Sequence, residues 1–186
     1  MKRAFDVAAS CAGLMVLLVP LLVLWVLVRL TSPGPALYWS QRVGRCSTLF
    51  VMPKFRTMRT DTPEVATHLL ADPDHWLTPI GATLRRLSLD ELPQLWSVFV
   101  GHMSLVGPRP ALFNQDDLIA ARRQAGVDSL RPGVTGWAQI NGRDELSIPD
   151  KVALDAEYLA RRSFGFDLMI LARTVLPVLT GQGVTR

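Results

Sequence analysis

The hydrophobic and polar positions divide the chain into an apolar N-terminal block and a mixed remainder. Residues 7–30 are almost continuously apolar, and Arg29 is their only charge. A helix of this length, rising about 1.5 Å per residue, is long enough for the apolar layer of a bilayer. The block therefore predicts a membrane-inserted helix. A secretory signal peptide is the competing interpretation, but the run is long for one and residues 31–35 make a poor cleavage site.

A proline and the flanking charges bear on the topology of this block. Pro20 lies well inside it, and proline kinks or breaks a helix. Positive charges lie on both sides, and the positive-inside rule places both flanks in the cytoplasm; they are Lys2, Arg3, Arg29, Arg42, Arg45 and Lys54. A re-entrant helix, broken at Pro20 and returning to the same side, satisfies both observations. A kinked spanning helix is the alternative, because membrane helices tolerate proline.

The remainder predicts a mostly helical α+β fold. Two strand-like runs, 37–39 and 49–52, flank a polar loop and predict a small β-hairpin. Helical spacing predicts helices over 80–86, 92–100, 151–162 and 167–179, and 61–79 reads as a loop with a short helix. The last helix should be amphipathic and interfacial, with one apolar face formed by Leu168, Leu171, Val175, Leu176 and Leu179.

Composition and charge favour anionic partners but do not identify which kind of anion is bound. Hydrophobic residues make up 49% of the chain and charged residues 19%, and the apolar excess lies largely in the N-terminal block. The net charge is +4 and the pI about 9.6, which favours nucleic acid, anionic lipid or phosphorylated substrates. Two cysteines, Cys11 and Cys46, do not form a disulfide framework and are expected to be free thiols.

The segment 87–95 contains the densest group of chemically useful residues. Ser88 followed by Glu91 matches a capping box, and acidic residues suit the first turn of a helix without any catalytic role. The same helix start would also attract phosphate. Side chains of adjacent residues on a helix point about 100° apart. Asp90 and Glu91 could therefore divide the work, one as nucleophile or metal ligand and the other as base. The sequence leaves both interpretations open.

Cations surround this segment along the chain. Lys54 and Arg56 should share one face of a strand, and Arg85 lies close before the acidic turn. Arg109 lies between two prolines that restrict it to extended conformations, which suits bidentate binding of phosphate oxygens. A solvated surface charge is the alternative for each residue. Together, the cations and the acidic pair favour a diphosphate and a divalent ion.

Motifs along nearly the whole chain carry a resemblance to a known family. They lie at 2–6 (KRAFD), 32–35 (SPGP), 41–44 (QRVG), 54–58 (KFRTM), 87–95 (LSLDELPQL), 107–110 (GPRP), 131–139 (RPGVTGWAQ) and 141–143 (NGR). Each motif is weak alone, but their order is highly specific. On these motifs the chain resembles the bacterial sugar transferases, the small monotopic phosphoglycosyl transferases.

The resemblance implies a reaction and a set of site residues. Asp90 would attack the β-phosphorus of a UDP-sugar, release UMP and hold a covalent sugar phosphate. Polyprenol (undecaprenyl) phosphate would then collect the group, assisted by Glu91, as the first membrane step of surface glycan assembly. Mg²⁺ would bind at Asp90. Phosphate would be bound by Lys54, Arg85 and Arg109, and the substrate-binding set is completed by Arg56, Arg143 and Asp155.

The resemblance also implies an organisation for the chain. Residues 1–30 would form the re-entrant membrane helix and 31–186 a catalytic domain on the cytoplasmic face of the bacterial inner membrane. The expected partners are a UDP-sugar, polyprenol phosphate and membrane lipid, with a homodimer left open and no nucleic acid. Two departures are visible: Val19-Pro20 replaces a frequent Ser-Pro, and 46–48 lacks a frequent glycine and lysine. The rival from another class is a non-enzymatic membrane-anchored binder of anionic lipid or nucleic acid, which leaves Asp90-Glu91 unexplained.

Overall fold

The structure, a computed structural model, describes residues 1–63, 72, 74–142 and 145–180, with side chains described as far as 174. The predicted mostly helical α+β fold is confirmed, with two small two-stranded sheets. In chain order the elements are α1 (Lys2–Val16), α2 (Leu18–Thr31), β1 (Leu37–Val43), β2 (Leu49–Phe55), α3 (Gly81–Arg86), α4 (Gln94–Val100), β3 (Ser104–Val106), α5 (Asp116–Gln124), β4 (Gly133–Thr135), α6 (Trp137–Ile140), α7 (Ile148–Arg161) and α8 (Phe164–Thr180). The four predicted helices in the remainder correspond to α3, α4, α7 and α8. Part of the predicted loop 61–79 lies outside the described residues.

The predicted hairpin is present and longer than expected. Strands β1 and β2 pair antiparallel, from Leu37 opposite Phe55 to Val43 opposite Leu49. A second pair, β3 with β4, is parallel and was not predicted, because three-residue strands carry too little alternation to be recognised. Between these sheets, α4 packs against β2 and closes an apolar core formed by Phe50, Met52, Val98 and Met103.

The N-terminal block bends at Leu17, three residues before the predicted position. Helices α1 and α2 meet there at 62°, and Pro20 lies in the first turn of α2. A proline cannot donate to the carbonyl four residues earlier and clashes with it, and here that carbonyl belongs to Val16. The predicted position of the helix break, Pro20, is therefore wrong by three residues, although Pro20 accounts for the break at Leu17.

No single helix in the described part of the chain is long and apolar enough to cross a membrane. Helices α1 and α2 taken together have the length and apolar composition of a membrane-crossing helix, although the pair is bent. Most large apolar side chains of α2 are exposed, and they include Leu18, Val19, Leu22, Val23, Trp25 and Leu30. On α8, Leu168 is exposed, whereas Leu171 packs against the core. The side chains of Val175, Leu176 and Leu179 lie outside the described ones.

Helix α1 is attached to the rest of the protein by polar contacts. The buried carboxylate of Asp6 accepts hydrogen bonds from the Ser104 hydroxyl at 2.9 Å and from the next backbone N–H of β3 at 3.1 Å. Lys2 Nζ lies 2.7 Å from Asp167 Oδ2, and Arg3 donates to two carbonyls near the end of α4. The two N-terminal cations of the topology argument are thus bound to protein groups.

Candidate active site

The acidic pair lies in a tight turn between α3 and α4. Residues Leu89–Glu91 form a single 3₁₀ turn, and Ser88 before it has a left-handed backbone with φ of 53°. A capping serine instead has an extended backbone, which directs its oxygen to the helix amides. The Ser88 side chain makes no capping hydrogen bond, and its buried oxygen has no partner among the described residues. The capping-box interpretation is therefore wrong.

Glu91 and Arg109 form an ion pair at the centre of the site. Both terminal nitrogens of the Arg109 guanidinium, Nη1 and Nη2, lie 3.1 Å from Glu91 Oε1. The glutamate side chain is mostly buried, whereas the arginine is about one-third exposed. One side of the pair is thus enclosed, while the guanidinium stays within reach of a ligand.

Three further cations lie around the acidic pair. Lys54 on β2 is opposite Tyr38 on β1, and its ammonium is 5.9 Å from the centre of that ring. Arg85, at the end of α3, donates to the Thr57 hydroxyl at 3.0 Å. Arg42 on β1 donates to the buried Ser40 hydroxyl at 2.9 Å. With Arg109, these residues set four positive charges against two carboxylates, which favours a multiply charged anion.

The pKa values of Asp90 and Lys54 are shifted by burial and by their charged neighbours. Asp90 is 6% exposed, and burial, followed by repulsion from Glu91, raises its pKa to about 6 despite attraction from Lys54, Arg85 and Arg109. Burial, with Arg42 as the next cause, lowers the pKa of Lys54 to about 8. Near pH 7 the aspartate is therefore mainly a carboxylate and the lysine mainly an ammonium. This combination suits a nucleophile beside a phosphate-binding cation.

The loop that carries Arg109 is held through its carbonyl oxygens. Two of its residues are prolines and have no N–H to donate. The Pro108 carbonyl accepts from the Gly133 amide at 2.8 Å, the Arg109 carbonyl from Arg122 Nη1 at 2.7 Å, and the Pro110 carbonyl from Arg42 Nη1 at 3.2 Å. Three consecutive carbonyls are thus fixed, two of them by arginine side chains.

Comparison with known proteins identifies the family. The family model for bacterial sugar transferases matches residues 1–181. The chain belongs to the bacterial sugar transferase family. It is therefore a transferase enzyme, and the non-enzymatic binder considered as the rival is set aside.

Three relatives show the range of lengths in which this sugar transferase sequence occurs. The "Uncharacterized sugar transferase EpsL" of Bacillus subtilis is 42% identical over 99% of this chain and 90% of its own length. A "UDP-glucose:undecaprenyl-phosphate glucose-1-phosphate transferase" of Caulobacter vibrioides is 43% identical over 96% of this chain and 70% of the relative. An "Undecaprenyl-phosphate galactose phosphotransferase" of Salmonella typhimurium is 37% identical over 98% of this chain, which spans only 41% of that protein.

The structure of the sugar transferase brings together most of the predicted site residues. Lys54, Arg85 and Arg109 surround Asp90 and Glu91, as described above. Their roles in substrate binding and catalysis stay predictions. Arg143 lies outside the described residues.

In the sugar transferase, Arg56 and Asp155 are paired with protein groups other than Asp90 and Glu91. Arg56 is buried, and its guanidinium donates to the carbonyls of Pro35 at 2.7 Å and Ser32 at 3.0 Å. The guanidinium is held at the 32–35 turn, and burial, followed by the charged neighbour Arg29, lowers its pKa. Asp155 is paired with Arg122. Neither is among the charged groups that shift the pKa of Asp90.

Arg42 is the site residue that sequence reasoning missed. In the sequence Arg42 is one of the charges that flank the apolar block, and it also lies in the QRVG motif. Its pKa is lowered to about 10 by burial and next by Arg109, while Glu91 opposes the change. It reaches the site because β1 forms an additional antiparallel bridge between Arg42 and Leu112. The motif was the available signal, but the contact of Arg42 with Pro110, about 70 residues away in sequence, cannot be predicted from local pattern.

The predicted Mg²⁺ can be tested against the donor atoms of this site. Among the described residues, no group of three or more His, Cys, Asp or Glu side chains could hold a metal ion. Mg²⁺ in phosphate-transferring sites is commonly held by one or two carboxylates, waters and the substrate phosphates. The Asp90 carboxylate, beside cations suited to a diphosphate, fits that kind of substrate-assisted site and not a dedicated protein cage.

Proposed function

We propose that this sugar transferase moves a sugar-1-phosphate from a UDP-sugar to undecaprenyl phosphate through a covalent intermediate on Asp90, with release of UMP. The observation that carries the proposal is the buried Asp90 carboxylate, with its raised pKa, beside the three cations Lys54, Arg85 and Arg109. The names of the Caulobacter and Salmonella relatives support the donor and acceptor classes. The sugar itself is left open.

In the first half-reaction, a carboxylate oxygen of Asp90 forms a bond to the β-phosphorus of the donor. The bond from that phosphorus to the bridging oxygen breaks, and UMP leaves with the electron pair. Lys54, Arg85 and Arg109 bind the diphosphate oxygens and stabilise the charge that develops on them. Burial leaves the carboxylate with little solvation to lose before it attacks.

In the second half-reaction, a phosphate oxygen of undecaprenyl phosphate attacks the same phosphorus. The bond to Asp90 breaks and restores the carboxylate. Glu91 accepts the proton of an acceptor phosphate that arrives monoprotonated, and its ion pair with Arg109 holds it in place beside Asp90.

We propose that Asp90, together with the donor diphosphate, holds Mg²⁺. The ion would offset the negative charge of the diphosphate and polarise its oxygens. The binding groups that the chain itself supplies are the carboxylate and the surrounding cations.

We also propose that the bent pair α1–α2 enters the cytoplasmic face of the bacterial inner membrane and returns. The exposed apolar surface of α2 and the bend at Leu17 support a membrane-inserted, re-entrant arrangement. This placement would bring the lipid acceptor to the level of the site, and the enzyme would begin the assembly of a surface glycan.

The proposal is tested by intact-mass analysis after incubation with a panel of UDP-sugars and Mg²⁺, without lipid acceptor. We expect a sugar-phosphate adduct on the peptide containing Asp90, together with UMP, and loss of the adduct when undecaprenyl phosphate is added. Asp90→Asn should give neither product. Asp117→Asn, at an exposed position on α5, is the matched control and should behave as wild type.

Two results would contradict the proposal in different ways. UMP release that requires both substrates, with no adduct at any time, would replace the covalent mechanism with a single displacement. No UMP from any UDP-sugar in the presence of undecaprenyl phosphate would refute the transfer reaction itself.

A further inference from the structure

Asp155 and Arg122 form a buried ion pair directly behind the loop that carries Arg109. Arg122 Nε and Nη2 lie 2.9 and 2.7 Å from Asp155 Oδ2. The remaining terminal nitrogen, Nη1, donates to the backbone carbonyl of Arg109 at 2.7 Å. One guanidinium therefore joins helix α7, which carries Asp155, to helix α5 and to the loop.

We propose that Asp155 and Arg122 are positioning residues, which fix Arg109 for the transfer reaction, and that Asp155 does not bind substrate itself. This inference rests on the function proposed above. Asp155 is 1% exposed, and both bonds that it accepts from Arg122 reach the same oxygen. It is thus oriented towards the arginine, whose third contact is the Arg109 backbone.

Stability alone does not account for this ion pair. Removing two charges from water is costly, and a buried pair is commonly no more stabilising than apolar side chains of similar volume. Burial raises the pKa of Asp155 even though Arg122 opposes the change, so the carboxylate is held at a cost. The ion pair is better explained by the position that it imposes on its third partner, the Arg109 backbone.

The loop is unusually dependent on such a partner. Because Pro108 and Pro110 donate no N–H, the main chain is fixed through carbonyls, and Arg122 supplies the bond at Arg109. Movement of that carbonyl would move the Arg109 guanidinium relative to Glu91 and to the donor phosphates. Misplacement of a reacting group by about 1 Å can lower a rate about 100-fold.

A double-mutant cycle tests the inference. Asp155→Asn removes the charge that orients Arg122, and Arg122→Lys keeps a charge but cannot contact Asp155 and the Arg109 carbonyl with the same planar fork. In the wild-type background each should lower kcat/KM for the UDP-sugar by about 10 to 100-fold. In an Arg109→Lys background each should cost less than about 3-fold, because coupled residues are not additive.

Asp167→Asn is the matched control. Asp167 is also a buried aspartate, paired with Lys2 at 2.7 Å and accepting from Tyr158 at 2.6 Å. Both partners donate to the Val106 carbonyl, so this network ends before the Arg109 loop, residues 107–110. Its effect on kcat/KM should be the same in the wild-type and Arg109→Lys backgrounds. Full additivity of Asp155→Asn and Arg122→Lys with Arg109→Lys would overturn the positioning role.

A second readout does not depend on transfer activity. Modification of Arg109 by phenylglyoxal, followed by peptide mass spectrometry, reports how firmly its guanidinium is held. The rate should rise several-fold in Asp155→Asn and Arg122→Lys and stay at the wild-type value in Asp167→Asn. Unchanged modification in both test variants would refute the inference even if wild type proved inactive, whereas an inactive wild type with increased modification would refute only the proposed function.

Discussion

Asp90→Asn should make the protein more stable while abolishing its activity. Burial is the main reason that the pKa of Asp90 rises from 3.8 to about 6. A rise of this size corresponds to about 3 kcal/mol of unfavourable free energy for the ionised carboxylate in the folded protein. Asparagine has nearly the same shape and carries no charge, so the variant should gain up to about 3 kcal/mol in unfolding free energy near pH 7.

The gain should depend on pH with a definite sign. As the pH falls towards and below the unfolded pKa of 3.8, the carboxyl becomes protonated in both the folded and unfolded states, so the stabilities of variant and wild type should converge. As the pH rises through about 4 to 6, the unfolded chain loses its proton first, and wild type loses stability relative to the variant. Above about pH 6 the difference should stay constant.

Thermal unfolding of both proteins in the same detergent, at several pH values from 4 to 8, measures this difference. UMP release, measured in parallel, should fall by several orders of magnitude because an amide cannot act as the nucleophile. Asp117→Asn serves as the control and should change neither property. A variant that is no more stable than wild type at pH 7 to 8 would refute the claim that Asp90 is held ionised against its environment.

Three further predictions follow from particular contacts. Lys54 should lose its proton above about pH 8, so kcat/KM of the wild type should fall there. In Lys54→Arg the pH–rate profile should show this fall at least about one pH unit higher, because arginine stays charged. Arg56→Ala should lower the unfolding free energy by about 1–3 kcal/mol, since the carbonyl of buried Ser32 loses its donor, yet leave KM for the UDP-sugar unchanged. A raised KM would support the substrate-binding role. Pro20→Leu should restore the missing helix bond and straighten the 62° bend. The distance between spin labels at positions 4 and 30, in a background without Cys11 and Cys46, should then lengthen, and an unchanged distance would locate the cause of the bend elsewhere.

Sequence reasoning located the acidic pair and three of its cations. Asp90 and Glu91 are adjacent and densely flanked, and the motif order supplied Lys54, Arg85 and Arg109. The predicted hairpin, later observed as β1 and β2, accounts for the position of Lys54. These successes depend on local pattern or on a specific succession of motifs.

The structural features that the sequence did not predict each depend on a conformation or contact that local pattern does not contain. Ser88 has a capping-box partner in sequence but a left-handed backbone that prevents capping. Arg56 is drawn to the carbonyls of Ser32 and Pro35, more than 20 residues away in sequence. Arg42 enters the site through a long-range bridge, and the partner of Asp155 lies 33 residues away on another helix. Long-range packing therefore determines which of the candidate cations lie beside Asp90 and Glu91.

The polar attachment of helix α1 has a consequence for handling the enzyme. A protein beginning at residue 32 would lose Asp6, and with it the acceptor for the buried Ser104 hydroxyl and for an amide of β3. Each buried group left without a partner costs about 1–3 kcal/mol. The same truncation would remove Val28, which packs against Phe55 and Leu84. The apolar segment α1–α2 is thus a structural component of the part that carries the acidic pair, and preparations that retain activity must include it.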